Sequence, residues 1–360
     1  MFDFLIIGGG LLGLLTAKEL QQAGAKVAVV DKNSRGQQAT WAAGGILSPM
    51  RPWLYSEPVN AISSLSQSVY QQLSTELRDQ TAIDPEWLLS GMLVLEDNEL
   101  PQAIQWCEQN NSPVEVLSVE ELNSQFEHLA PFTESAIYRP DVATIRPHKL
   151  SAALTQYLTL NGVSFYNDQE VTKLQHTDYA VTGAEIGKTT LSANEYILCG
   201  GAWSTQLVPK LCPQPDIKPV KGQMICFPPT DITNLCMVMD DNRYIIPRKD
   251  KRIVVGSTRE YTQFDASTTQ AAFDELKHFA QQLYPALASI EPDAHWAGLR
   301  PASPNSIPYI CRVAPLSNLS LNAGHYRNGI VTAPASAELM SDILLNRRCK
   351  IDPTPYQLQR

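Results

Sequence analysis

Apolar and polar positions divide this chain into short segments that alternate between strand-like and helix-like periods. Phe4 to Ile7 is a short apolar run of the kind a strand buried on both faces requires. A glycine cluster follows. Apolar residues then recur at helical spacing from Leu11 to Ala23, with Gly24 as the stop, and Val27 to Val30 reads as a second strand ending at Asp31. The helical period returns over Ile62 to Leu77, Pro101 to Asn110, His148 to Leu160, Thr268 to Leu283 and Ala335 to Leu345. Ser118 to Phe126 predicts a helix whose start carries Ser118 and Glu121 in capping-box spacing. Met92 to Leu95, Ala136 to Tyr138, Val163 to Tyr166, Val171 to Leu174 and Tyr196 to Leu198 read as short strands. From Ile217 the pattern changes. "VKGQMICF", "RYIIPR" and "RIVVGST" are strands separated by turns, which predicts an antiparallel sheet with less helix. A further strand opens "LSLNAGHYRNGI".

Strand–helix–strand units at both ends, with an antiparallel block between, imply two interleaved domains. The fold class expected is α/β plus α+β. A Rossmann-like dinucleotide-binding domain takes residues 1–85, 140–215 and 290–360, and a substrate domain built on an antiparallel sheet takes 86–139 and 216–289. The length of 360 residues agrees with two cores rather than one.

Composition narrows the function classes. A net charge of −9 disfavours nucleic acid and anionic membrane as partners, because both need a basic face. No stretch approaches a membrane span, and Phe4 to Leu15 lacks the basic flank of a signal peptide. The seven cysteines are scattered, with no C-x-x-C and no Cys/His ligand spacing. Free thiols, a cytoplasmic location and no metal site are expected.

The chemistry starts at Gly8, Gly10 and Gly13, spaced G-x-G-x-x-G between the first strand and the first helix. The first glycine allows the tight turn, the second lets a pyrophosphate reach the backbone, and the third lets helix and strand pack closely. The helix N-terminus faces the phosphates. Asp31, at the end of the second strand, can bond ribose hydroxyls and repels a 2′-phosphate, which argues against NADP. NAD and FAD both remain open on these residues. The small residues from Ala39 to Gly45 let backbone press against a flat ligand, and Gly200, Gly201 and Ala202 return to the same site.

"IIGGGLLGLLTA", "TWAAGGILSPM", "LCGGAWS", "PVKGQMI", "RYIIPRKD", "IVVGST", "HWAGLRPASP" and "GHYRNGIVTAPA" together resemble the D-amino-acid oxidase family of FAD-dependent oxidoreductases. The likeness is greatest to its glycine-oxidising members linked to thiamine-thiazole synthesis. The resemblance implies FAD, bound non-covalently, since Cys311 does not match the flavin-linking cysteine of some relatives. It implies that Gly8, Gly10 and Gly13 hold the pyrophosphate, Asp31 the ribose and Val171 the adenine, while Ala42, Ala43, Gly44 and Gly45 line the isoalloxazine. The turn Gly324, His325, Arg327, Asn328, Gly329 and Ile330 would meet the pyrimidine edge through backbone N–H groups, aided by a helix N-terminus near Pro334. Arg300 matches the arginine that grips the substrate carboxylate, Tyr244 a second carboxylate contact, and the Arg327 carbonyl the acceptor for the substrate amine.

The implied activity is oxidative deamination of glycine, sarcosine and small D-amino acids by hydride transfer to flavin N5. The products would be glyoxylate or a keto acid, ammonia and, with molecular oxygen as acceptor, hydrogen peroxide. A homo-oligomer is expected. Two other functions stay open: a dehydrogenase passing electrons to a quinone or protein, and a flavin-binding sensor without turnover. His295 and His325 read as structural, and Trp296 as packing. Arg259 and Ile46 replace methionines of a relative, and Arg259 is expected to point outward.

Overall fold

The computed structural model describes residues 1–33, 38–95, 97–232 and 236–359. Strand β1 (Phe2–Ile7), helix α1 (Leu11–Gln22) and strand β2 (Val27–Val30) form the N-terminal unit. Both strands bury both faces, as their uninterrupted apolar runs require. They lie in a six-stranded sheet ordered Tyr309–Arg312, Leu319–Ala323, Ala193–Leu198, β1, β2, Ser164–Tyr166. All neighbours are parallel except Tyr309–Arg312. β1 sits centrally, with Leu5 beside Ala28 on one side and Tyr196 on the other.

Helix α1 packs one face of this sheet together with Pro147–Leu160 and Ala333–Leu344. Leu11, Leu14, Leu15 and Leu20 are buried there, each contributing about 1.5–3 kcal/mol. The other face is covered by a three-stranded sheet, Thr189–Leu191, Val181–Ile186 and Val171–His176.

The second layer is an eight-stranded sheet ordered Ala294–Ala302, Lys218–Phe227, Ile253–Gly256, Arg243–Pro247, Met237–Asp240, Met92–Val94, Ala136–Arg139, Glu115–Leu117. It is antiparallel except where Met237–Asp240 meets Met92–Val94. Gln270–Leu283 packs on it through Leu276, Phe279 and Ala280. The fold is therefore α/β plus α+β. Ala294–Ala302 pairs along its length with Lys218–Phe227, so the 290–302 part of the expected dinucleotide-binding half supplies a strand to the other sheet.

The helical pattern over 62–77 resolves into two helices, Glu57–Gln67 and Tyr70–Thr81, separated at Ser68 and Val69. The capping box at Ser118 is present, with Ser118 Oγ accepting from the Glu121 N–H at 3.3 Å and the Glu121 carboxylate accepting from the Ser118 N–H at 2.8 Å. Among the described residues no helix is long and apolar enough to cross a membrane.

Candidate active site

A cavity of about 420 Å³ opens at the carboxyl ends of the central parallel strands, where Ile7–Gly8, Val30–Asp31, Cys199–Gly200 and Asn322–Ala323 meet. Ligands of open α/β sheets bind at this position because chains diverge there and helix N-termini converge. The cavity runs on to the antiparallel sheet, whose Gly222, Met224, Tyr244 and Gly298–Pro301 form the far wall.

At the near end the glycine turn is sterically fixed. Gly8 has φ +118°, and a Cβ there would lie 2.4 Å from the Cys199 carbonyl oxygen. A Cβ on Gly13 would lie 1.9 Å from the Gly8 carbonyl oxygen, so α1 can seat against β1 only with glycine there. Gly13 therefore stands behind the wall, while Gly8 and Gly10 line it. Asp31 also lines the cavity and braces the turn. Its Oδ2 accepts the Gly9 N–H at 2.6 Å and its Oδ1 accepts the Asn33 N–H at 2.8 Å. Each oxygen keeps a lone-pair site for a ribose hydroxyl. Burial pushes the Asp31 carboxyl up, and these two backbone hydrogen bonds oppose the rise. Val171 and Gly201 line the same end.

Ala42, Ala43 and Gly44 form a stretch of wall with small side chains. Gly45 turns away at φ +76°, with its Cβ position 2.0 Å from the Ile145 carbonyl oxygen. Arg248, which the residue pattern did not single out, holds this segment. Its Nη2 donates to the Gly44 carbonyl at 2.6 Å and its Nη1 to the Ile145 carbonyl at 3.1 Å. Thr40 was missed likewise; its Oγ1 accepts the Leu11 N–H at 3.0 Å. Trp296 Nε1 donates to the Ala42 carbonyl at 3.1 Å, which adds a tether to its packing.

In the C-terminal turn, His325, Arg327, Gly329 and Ile330 line the cavity, whereas Gly324 and Asn328 lie behind it. The N–H groups of Gly329 and Ile330 donate to no acceptor among the described residues, and both precede the helix Ala333–Leu344. His325 is buried and its Nε2 lies 2.9 Å from Ser336 Oγ; burial pulls its pKa down to about 3. It is a neutral hydrogen-bonded ring at neutral pH, not a proton shuttle. His295 sits outside the cavity wall, 3.0 Å from Gln223 Oε1.

Arg300, Tyr244 and Arg327 are brought together on the cavity wall. Arg300 Nη1 donates to the carbonyls of Lys221 and Thr258, each at 3.2 Å, and Nη2 to Ser257 Oγ at 2.6 Å. No carboxylate among the described residues pairs with it. Behind these acceptors lies a polar cluster. The Glu260 carboxylate accepts from Thr258 Oγ1 at 2.5 Å and Gln223 Nε2 at 2.8 Å, and pairs with the buried Lys221 Nζ at 3.1 Å. Tyr244 is buried, with its hydroxyl 3.9 Å from Met224 Sδ and its ring against Gly44 and Gly256. Arg259 is exposed and lies off the wall.

These residues fit FAD. One continuous cavity carries a carboxylate and a helix N-terminus at one end, then a wall too close to Ile246 and Tyr244 for a side chain at Gly44, then unpaired backbone N–H donors. When bound, FAD supplies the electron-accepting chemistry that no side chain offers.

Comparison with known proteins agrees with this geometry. The chain is 38% identical to the glycine oxidase of Pseudomonas aeruginosa over 98% of this chain and 97% of that one. It is 30% identical to the bifunctional protein ThiO/ThiG of Trichormus variabilis over 98% of this chain and 53% of that protein. The crystal structure of glycine oxidase from Geobacillus kaustophilus superimposes with a TM-score of 0.94 at 26% identity, covering 100% of this chain and 98% of the other. The family model described as FAD dependent oxidoreductase matches residues 3–343, and the chain accordingly belongs to that family.

Proposed function

We propose that this enzyme oxidatively deaminates glycine and similarly small amines bearing a carboxylate, with non-covalent FAD as cofactor and molecular oxygen as acceptor. The observation that carries the reading is Arg300, a guanidinium facing the cavity and held, among the described residues, by neutral acceptors alone, with no carboxylate among them to neutralise it. A charge fixed in this way is ready for an anionic ligand, and its fork suits both oxygens of one carboxylate. The Tyr244 hydroxyl supplies a second donor to the same group. The Arg327 carbonyl, which accepts no hydrogen bond among the described residues, takes an amine N–H.

Arg300 and Arg327 also disfavour a substrate ammonium beside them, so the bound amine loses its proton more readily than in water. Cys199 is the cysteine on the cavity wall. Burial drives its pKa up to about 12, so it stays a thiol, in keeping with a cofactor held by contacts alone. The test is anaerobic bleaching of the purified yellow protein against glycine, sarcosine, D-alanine and D-proline, followed by admission of air. Bleaching by glycine and peroxide formation in air are expected. Flavin that bleaches but stays reduced in air would assign a dehydrogenase, and no bleaching by any of the four would overturn the reading.

A further inference from the structure

The two main-chain carbonyls that hold Arg300 share one residue behind them. Arg300 Nη1 donates to the carbonyls of Lys221 and Thr258, and the side chains of those two residues meet on the Glu260 carboxylate. Thr258 Oγ1 donates to Glu260 Oε1 at 2.5 Å and accepts the Gln223 N–H at 2.9 Å, so its hydroxyl is held from both sides. Lys221 Nζ lies 3.1 Å from Glu260 Oε2. The main chains of the same two residues are paired. The Lys221 N–H donates to the Glu260 carbonyl at 2.9 Å, and the Glu260 N–H to the Lys221 carbonyl at 3.0 Å. The Lys221 carbonyl therefore accepts from Glu260 and from Arg300 at once. Lys221 and Gln223 are buried, and Thr258 and Glu260 are half-buried. Regular pairing with Lys218–Phe227 stops at Gly256, so the Thr258 carbonyl lies in a segment that side chains must hold. An arginine side chain has many rotamers, and a fork that reads one carboxylate needs fixed acceptors behind it.

We propose that Glu260 is a positioning residue for the substrate-carboxylate anchor: through Thr258 and Lys221 it fixes the two carbonyls that aim the Arg300 guanidinium into the cavity, and with them the preference of the site for an acid over its neutral analogue. Neither Glu260 nor Thr258 lines the cavity, so both act through Arg300. The charge of Glu260 pulls the opposite way from its clasp. A negative group behind the anchor opposes a bound carboxylate, so losing the charge alone strengthens acid binding, whereas losing the clasp weakens it. The two effects differ in sign and can be told apart. The proposal rests on the reading of Arg300 as the anchor of the substrate carboxylate.

The experiment uses FAD-loaded protein and follows the flavin absorbance during titration with glycolate and with glycolamide, an acid and its neutral amide, neither carrying an oxidisable amine. The native protein should bind glycolate about 10-fold or more tightly than glycolamide, the worth of one charge-assisted contact. Thr258→Val keeps the shape and every charge but cuts the link to Glu260. It should lower that ratio about 3- to 10-fold, with glycolamide affinity and FAD content near native. Thr258→Ser, which keeps the hydroxyl, should restore the ratio. Glu260→Ala should lower it likewise, and Glu260→Gln, which keeps an acceptor for Thr258, should retain most of it. Should Glu260→Ala fail to fold, the two Thr258 variants decide alone. An unmoved ratio in Thr258→Val would overturn the proposal. A native or raised ratio in Glu260→Ala would overturn it by leaving the charge as the one effect felt, and equal losses of both ligands would overturn it by making the cluster a support of the fold. Arg300→Met separates the underlying reading. A native protein without the preference, or a native ratio in Arg300→Met, refutes the anchor itself, whereas a ratio lost there and unmoved in the Thr258 and Glu260 variants refutes only the positioning role.

Discussion

Gly222 gives the most direct test of how Arg300 works, because it perturbs the guanidinium without touching its charge. A Cβ at Gly222 would lie 2.0 Å from Arg300 Nη2 and 2.3 Å from both Cζ and Nη1. Gly222 does not have a positive φ, so alanine is compatible with the strand, and the atoms in the way are the far end of a flexible side chain. The guanidinium must therefore retreat by roughly 1.4 Å to reach ordinary contact distance. Nη1 already donates at 3.2 Å to both carbonyls, so a shift of that size breaks at least one of these bonds and turns the fork. A misplacement of about 1 Å can cost about 100-fold in rate, and a lost charge-assisted hydrogen bond costs about 1.5–3 kcal/mol. Gly222→Ala should lower kcat/KM for glycine by about 30- to 1,000-fold, mostly through KM, with FAD content and Tm near native. Anaerobic stopped-flow reduction across a glycine series measures the effect, and thermal unfolding of the same sample checks the fold. A kcat/KM within twofold of native would show that the position of Arg300 does not govern substrate binding.

Gly13→Ala should abolish FAD retention and yield little folded protein, because the methyl meets backbone rather than a mobile side chain; the flavin-to-protein absorbance ratio and expression yield report it. Asp31→Ala should weaken FAD binding by about 10-fold or more, since the Gly9 and Asn33 N–H groups lose their acceptor, as fluorescence titration of the apoprotein will read. Burial alone would raise the Glu260 carboxyl, but hydrogen bonds from Thr258, Gln223 and Lys221 hold it below the usual glutamate range, and bonds from Ser267 and Lys221 bring Asp265 down to about 2. Groups depressed in the folded state stabilise it above their unfolded pKa. That contribution should fade as pH falls from about 4 towards about 2, giving a Tm decline over that window that is shallower in Glu260→Gln.

Much of the near end of the site was legible because its chemistry is local. The glycine turn, the helix it opens and Asp31 lie within one short stretch, and each answers to a backbone rule that residue type alone reports. The far wall was harder to read. Ala294–Ala302 carries Gly298 and Pro301, which argue against a strand, yet it pairs as the edge of its sheet, where a missing N–H and a missing side chain are tolerated. The acceptors that hold Arg300 are mostly main-chain carbonyls, which no residue pattern reveals, and Arg248 grips carbonyls in the same way. Resemblance supplied Arg300 and Tyr244, whereas periodicity showed only the strand that carries Tyr244 and left that of Arg300 unassigned. Gly45, Gly324 and Asn328 share segments with wall residues but sit one layer back, a distinction set by φ and packing that spacing does not encode.

The contact between Gly298 and Ala42 has a consequence for redesign. A side chain at 298 would put its first carbon 2.4 Å from the Ala42 methyl, two positions along the same strand from Arg300 on the cavity wall. Changes that bulge or shift this strand to admit larger substrates will transmit directly to the segment that shapes the prosthetic-group bed. Selection for broader scope should instead accumulate exchanges at Met224, a wall residue whose pliant thioether can be traded without moving either backbone.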